Sequence, residues 1–147
     1  MEKHKSCCFI GHRKIDWTDE LEEKVKQLVE DLVVNQNVQT FLFGSRSEFD
    51  ALCNYVVGLL KEKYPHIKRI NFLCKNENTI LDCDETKVIN TFGRASYVNR
   101  NKAMIDESDF CIFFFDEKLE KTKSGTRIAY EYAKNKTKKI INVKGQF

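Results

Sequence analysis

Apolar runs of strand length alternate with amphipathic runs of helical period along this chain. The apolar runs predict strands over residues 6–10, 40–43, 68–74, 109–115 and 139–143. Apolar positions recurring every three or four residues predict helices over 18–34, 48–63, 97–107 and 124–135. The polar segment 76–91 has the least regular pattern, with a weaker strand candidate at 87–90.

This alternation predicts an α/β fold in which crossover helices cover a sheet on both faces. We expect a single Rossmann-like three-layer domain over residues 1–147, with a mostly parallel sheet of about five strands. The near-continuous apolar run after Asp109 is typical of a central strand buried on both sides. Ligands of such sheets bind beyond the carboxyl ends of the strands, at the topological switch point.

Each of three loops that follow expected strands carries a glycine beside small or basic polar residues. These loops are Gly11-His12-Arg13, Gly44-Ser45-Arg46 and Lys123-Ser124-Gly125-Thr126. Glycine lets the main chain approach a ligand, hydroxyl groups donate hydrogen bonds, and Arg13 suits bidentate contact with a phosphate. The third loop also opens a helix, whose N-terminus favours an anion. The loops therefore predict a crevice for a nucleotide or sugar phosphate.

Structural interpretations of the same residues stay open. Gly11 can simply turn the chain, and Ser47 with Asp50 fits a plain helix cap better than a contact with substrate. Arg100 and Asn101 lie on the first turns of an expected helix, where they face either the crevice or solvent. The predicted ligand-binding residues are Gly11, His12, Arg13, Gly44, Ser45, Arg46, Arg100, Asn101, Ser124, Gly125 and Thr126.

A catalytic function would need a carboxylate or a histidine within reach of the crevice. The candidates are His12, Asp116 and Glu131. Asp116 ends the most apolar strand, a common position for a functional carboxylate. Glu131 lies a turn or more into its helix, so it either reaches the crevice or faces solvent.

Composition narrows the class of protein. Hydrophobic residues make up 41% and charged residues 32% of the 147, as in soluble globular domains. The net charge of +3 is too small to indicate a nucleic-acid partner. The six cysteines lack metal-ligand spacing, so we expect no metal site. Neither a signal peptide nor an apolar run of membrane-spanning length is apparent. We therefore expect a cytoplasmic protein with reduced thiols and no membrane partner. A homodimer paired through a helix is compatible with this architecture.

Four segments, in order, resemble the YpsA-like branch of the SLOG superfamily, and the resemblance covers nearly the whole chain. They are Cys8–Arg13 (CFIGHR), Phe43–Asp50 (FGSRSEFD), the stretch from Gly93 to Asp106 with Arg100-Asn101, and Ser124–Ala133 (SGTRIAYEYA). The resemblance implies a Rossmann-like fold and a nucleotide-derived ligand. More distant relatives are the Lonely guy phosphoribohydrolases, the DNA-processing protein A family and, by similar architecture, the nucleoside deoxyribosyltransferases.

The enzymes among these relatives typically carry a catalytic glutamate separated by two residues from a Gly-Thr pair. Counting from Gly125-Thr126, that position is Ala129 here, and Thr122-Lys123-Ser124 replaces the Gly-Gly of the Lonely guy pattern. The resemblance therefore implies a retained binding loop without the usual catalytic carboxylate.

Three hypotheses follow from the sequence. The favoured one is a sensor or regulator that binds a nucleotide or nucleotide-derived ligand; the sequence identifies no cofactor with certainty. The alternative is a hydrolase or transferase acting on the N-glycosidic bond of nucleosides or nucleotides. A nucleic-acid or protein-interaction module is disfavoured by the mild charge and the lack of an aromatic and basic stripe.

Overall fold

A computed structural model describes residues 3–44, 47–78, 81–91, 93, 95–116, 118 and 125–144. The strands of this part of the chain are β1 (Lys5–Gly11), β2 (Val38–Phe43), β3 (Lys68–Cys74), β4 (Glu85–Ile89), β5 (Phe110–Phe114) and β6 (Lys139–Asn142). The helices are α1 (Asp19–Asn35), α2 (Glu48–Lys63), α3 (Ser96–Asp106) and α4 (Gly125–Asn135).

All six strands form one parallel sheet in the order β4-β3-β2-β1-β5-β6. The α/β class is confirmed, but the expected count of about five strands is too low by one. The additional strand is β4, an edge strand whose residues are mostly exposed and include Glu85 and Lys87. Charged side chains discourage edge pairing with other chains and also remove the apolar signal by which a strand is predicted.

Alternating side chains of the strands build a core on each face of the sheet. In β1, Cys7 and Phe9 pack in the cluster that includes α1 and α2, whereas Cys8 and Ile10 pack in the cluster that includes α3 and α4. This period of two is what a strand buried on both faces requires. The result is a three-layer domain with two helices on each side.

Side-chain caps fix where two of the helices begin. The hydroxyl oxygen of Thr18 accepts a hydrogen bond from the Leu21 N–H at 3.1 Å, which caps α1. The hydroxyl oxygen of Ser47 accepts from the Asp50 N–H at 2.9 Å, which caps α2 as the sequence predicted. The cap of α2 sets the position of its first turn, which borders the site described below.

All six cysteines are free thiols, five of them buried and Cys83 half-buried. Burial raises the pKa of Cys7, Cys8 and Cys53 well above the usual thiol range, and that of Cys83 to about 12. These four therefore stay protonated at neutral pH and act as small apolar residues of the fold. Among the described residues, no helix has the length and apolar character needed to cross a membrane.

Candidate functional site

A cleft of about 340 Å³ opens at the carboxyl end of β1, between the N-termini of α2 and α4 and the first turns of α3. β1 is the strand from which successive strands are added in opposite directions, β2 on one side and β5 on the other. The cleft therefore lies at the topological switch point, the usual ligand site of open parallel sheets. Its lining comprises Phe9, Ile10, Gly11, His12, Arg13, Ser47, Asp50, Tyr97, Arg100, Asn101, Gly125 and Thr126.

Most of the predicted ligand-binding residues that the structure describes line this cleft. They are Gly11, His12, Arg13, Arg100, Asn101, Gly125 and Thr126. Gly44 lies just behind the lining, where a Cβ atom would come within 3.0 Å of the Arg100 guanidinium and 3.1 Å of an Asp50 carboxylate oxygen. The predicted residues Ser45, Arg46 and Ser124 lie outside the described residues.

Gly11 allows β1 to end against the first turn of α2. A Cβ atom on Gly11 would lie 2.6 Å from three side-chain atoms of Phe49, closer than any ordinary contact. The absence of a side chain at this position therefore lets α2 approach the sheet. That approach brings the start of α2 to the edge of the cleft.

His12 joins the ends of the two strands that meet at the switch point. Its Nε2 accepts a hydrogen bond from the Asp116 N–H at 2.9 Å. Because a backbone N–H can only donate, Nε2 carries no proton, and the neutral ring is protonated on Nδ1. The ring contacts Phe114 edge to face, with the centroids 6.0 Å apart. His12 thus positions the start of the β5–α4 loop as well as lining the cleft.

The other two predicted catalytic candidates lie away from the cleft lining. The Asp116 carboxylate accepts a hydrogen bond from the Lys118 N–H at 3.0 Å and lies 3.9 Å from the Lys144 ammonium. Glu131 is exposed on α4. Ala129, at the position of the glutamate in the related enzymes, is 2% exposed and packs in the core beneath α4.

Asp50 belongs to the cleft, although the sequence interpretation gave it only a capping role. The residue is 4% exposed. One carboxylate oxygen accepts from the Gly44 N–H at 3.1 Å, and the other accepts from the Ser47 hydroxyl at 2.8 Å. Burial raises the pKa of Asp50 to about 6, although the Arg100 guanidinium and the hydrogen bonds oppose this shift.

Arg100 connects Asp50 to a second buried carboxylate, that of Glu77. The guanidinium Nη1 lies 3.3 Å from Glu77 Oε1, and the two side chains are 6% and 5% exposed. Glu77 Oε1 also accepts from the Cys74 N–H at 3.0 Å. Tyr97 places its ring 5.2 Å from the guanidinium carbon. We refer to Asp50, Glu77 and Arg100 as the buried charge cluster.

Sequence reasoning missed Glu77 altogether. It follows β3 in the irregular segment, and its partner Arg100 is 23 residues further along the chain. The ion pair therefore forms only when α3 folds back over the end of the sheet. No local pattern in the sequence marks that contact.

Together, the fold and the cleft define a small Rossmann-like α/β protein with a ligand-sized site at the switch point of its sheet. No family model matches the chain. It is 27% identical to the uncharacterized SPbeta prophage-derived protein YoqJ of Bacillus subtilis (strain 168), over 78% of this chain and 80% of that protein. Its fold is similar to the molybdenum cofactor carrier protein MCP from Chlamydomonas reinhardtii, with a TM-score of 0.63 and 14% identity, over 94% of this chain and 75% of that one.

Proposed function

We propose that this protein binds a nucleotide or nucleotide-derived ligand in the cleft at the end of β1, and that it acts as a cytoplasmic sensor or regulator of the YpsA-like SLOG type. The observation that carries the proposal is the convergence of Arg13, Gly125 and Thr126 on one cleft at the switch point. Support also comes from the similar fold of a protein named as a carrier of the molybdenum cofactor, a small molecule.

The α4 end of the cleft suits a phosphate group. α4 begins at Gly125, and apart from the adjacent backbone no atom of the described residues lies within 4 Å of the position that a Cβ atom would take there. The first backbone N–H groups of a helix lack partners within the helix and lie at the positive end of its dipole. Arg13 is exposed at the same cleft and supplies a full positive charge. A ligand anion therefore finds both hydrogen-bond donors and favourable charge.

The volume of the cleft limits the size of the ligand. At about 340 Å³, it lies near the lower end of the range of about 300–1,000 Å³ for small-molecule sites. A mononucleotide fits this range better than a dinucleotide. Isothermal titration calorimetry with nucleoside monophosphates, nucleotide sugars and dinucleotides tests the proposal. We expect saturable binding of at least one mononucleotide or nucleotide sugar; no binding across the panel would contradict it.

The alternative function, cleavage or transfer at an N-glycosidic bond, has one observation in its favour. Asp50 is a carboxyl group in the cleft, and its pKa of about 6 suits a general acid. Its oxygens, however, already accept hydrogen bonds from Gly44 and Ser47, and Asp116 and Glu131 are outside the lining. Binding without reaction predicts no free base after incubation with nucleoside monophosphates. Release of base that Asp50→Asn abolishes would favour the enzyme instead.

The homodimer expected from the architecture stays a prediction. Size-exclusion chromatography with light scattering distinguishes it from a monomer of 17.3 kDa.

A further inference from the structure

We propose that Asp50 acts as a built-in anion that closes the α2 end of the cleft to ligand anions and thereby sets the orientation of the ligand. This inference rests on the proposed function. It adds which end of the cleft holds the charged group of the ligand. The phosphate of the ligand binds at the α4 end, and the neutral base or sugar lies toward α2 and the buried charge cluster. The cleft accordingly selects a ligand with its charge at one end.

The carboxylate of Asp50 lies beside the N-terminus of α2 and takes up hydrogen-bond donors that a ligand anion at this end would need. Asp50 is the third residue of this helix, after Glu48 and Phe49. Its oxygens accept hydrogen bonds from the Gly44 N–H and the Ser47 hydroxyl, at 3.1 and 2.8 Å. The hydroxyl belongs to the residue before α2 and the N–H to the residue after β2, and both are donors of the kind that bind phosphate beside helix N-termini. In this protein these two donors already bind the carboxylate of Asp50.

The charge balance of the buried charge cluster also opposes a ligand anion at the α2 end. Among the described residues, the cluster holds two carboxylates, Asp50 and Glu77, beside one guanidinium, that of Arg100, so these three side chains carry a formal charge of −1 when both carboxyl groups are ionised. A phosphate placed beside the cluster would be a third negatively charged group next to this one guanidinium. By contrast, the described lining residues at the α4 end, Gly125, Thr126 and Arg13, include a cation and no carboxylate.

Protonation offers a way to remove the charge of Asp50 without mutation. Its pKa of about 6 lies within reach of an ordinary titration. Among the described residues, the titratable and charged groups that interact with it electrostatically are Arg100, paired with Glu77, and the thiols of Cys53 and Cys83. Arg13 lines the same cleft. The two thiols stay protonated at neutral pH and below, so lowering the pH neutralises Asp50 without changing their charge.

Titration with inorganic sulfate, followed through backbone amide signals by NMR, tests this inference independently of nucleotide binding. Sulfate keeps its charge between pH 5.5 and 7.5, so any pH effect belongs to the protein. At pH 7.5 we expect the wild type to shift only the signals of Gly125, Thr126 and their neighbours. Asp50→Asn should add a second set at Gly44 and Ser47, with affinity at that end raised at least about tenfold by removal of the buried charge.

Two controls separate charge from structure. Asp31→Asn removes an exposed carboxylate on α1 and should bind sulfate as the wild type does. The wild type at pH 5.5 should show the second set of shifts, because Asp50 is then mostly protonated; this measurement also serves if Asp50→Asn fails to fold. Asp50→Asn, which lacks the titrating carboxyl group, should show the second set at both pH values; a pH dependence that persists in this variant would belong to another group of the cleft, such as His12.

The inference is overturned if the second set is absent both from Asp50→Asn and from the wild type at pH 5.5, or if the wild type already shows it at pH 7.5. Failure of the proposed function has a different signature. In that case sulfate would reveal the second site as expected, while no nucleotide would bind in calorimetry.

Discussion

Neutralising Asp50 should stabilise the folded protein at pH 7.5 and lose that effect near pH 4. The pKa of this carboxyl rises from the usual 3.8 to about 6 in the folded protein. At about 1.4 kcal/mol per pH unit, the difference corresponds to about 3 kcal/mol. Because the folded value is the higher one, the favourable contribution of protonated Asp50 is complete below pH 4 and is lost as the pH rises through 6. At pH 7.5 the ionised carboxylate therefore carries the full cost.

The substitution Asp50→Asn removes this cost together with part of a hydrogen-bond network. In asparagine an NH2 group, which is a donor, replaces one of the two carboxylate oxygens, so the side chain no longer accepts from Gly44 and Ser47 through separate oxygens. Loss of one such bond costs about 1 kcal/mol at every pH. We therefore expect a net gain of about 2 kcal/mol at pH 7.5, a net loss of about 1 kcal/mol at pH 4, and a difference of about 3 kcal/mol between the two.

Urea unfolding followed by circular dichroism at pH 4, 5, 6 and 7.5 measures these free energies. Asp31→Asn is the control, since its carboxylate is exposed and its effect on the free energy of unfolding should vary little with pH. The reasoning is refuted if Asp50→Asn costs the same at every pH. It is also refuted if the variant is less stable relative to the wild type at pH 7.5 than at pH 4, because the electrostatic attraction between Asp50 and the Arg100 guanidinium would then outweigh burial.

Four further substitutions test the geometry of the cleft. Gly11→Ala should lower the free energy of unfolding by about 1–3 kcal/mol, since its Cβ would meet Phe49 at 2.6 Å. Gly125→Ala should change little in the same urea titration, because its Cβ would meet no other described residue within 4 Å. His12→Phe should cost about 1 kcal/mol, because the Asp116 N–H loses its acceptor, and the altered amide signal of that residue in NMR would check the cause. Asp116→Asn should leave the ligand dissociation constant measured by calorimetry within about twofold, because this carboxylate is outside the cleft lining; a larger change would place it at the site.

The sequence predicted the framework well where burial produces a regular pattern. The predicted helix 48–63 and strand 68–74 coincide with α2 and β3, and the run of phenylalanines in β5 marked a strand buried on both faces. β4 was the weakest prediction because only one neighbour pairs with it and its side chains are exposed. An exposed edge strand does not require apolar side chains at regular positions, so its sequence shows no clear apolar period.

The candidate site was predictable in its glycine-bearing loops but not in its buried charges. Gly11 and Gly125 were found because they adjoin an apolar strand and a helix start, which are local signals. Asp50 was assigned a local role as a cap, and it does take part in capping α2. Its burial beside Arg100, and the ion pair of Arg100 with Glu77, arise from contacts between elements distant in sequence. Spacing along the chain carries no information about such contacts.

Calorimetry on a matched pair of variants at Gly125 tests the central claim most directly. A Cβ atom at this position meets no other described residue within 4 Å, and aspartate and asparagine have nearly the same shape, so Gly125→Asp and Gly125→Asn differ chiefly in charge. A carboxylate near the bound phosphate costs about 1–4 kcal/mol, or at least about fivefold in affinity. The account predicts that the wild type and Gly125→Asn bind the same nucleotide and that Gly125→Asp binds it at least about fivefold more weakly. Equal affinity in the two variants would contradict an anion site at the start of α4.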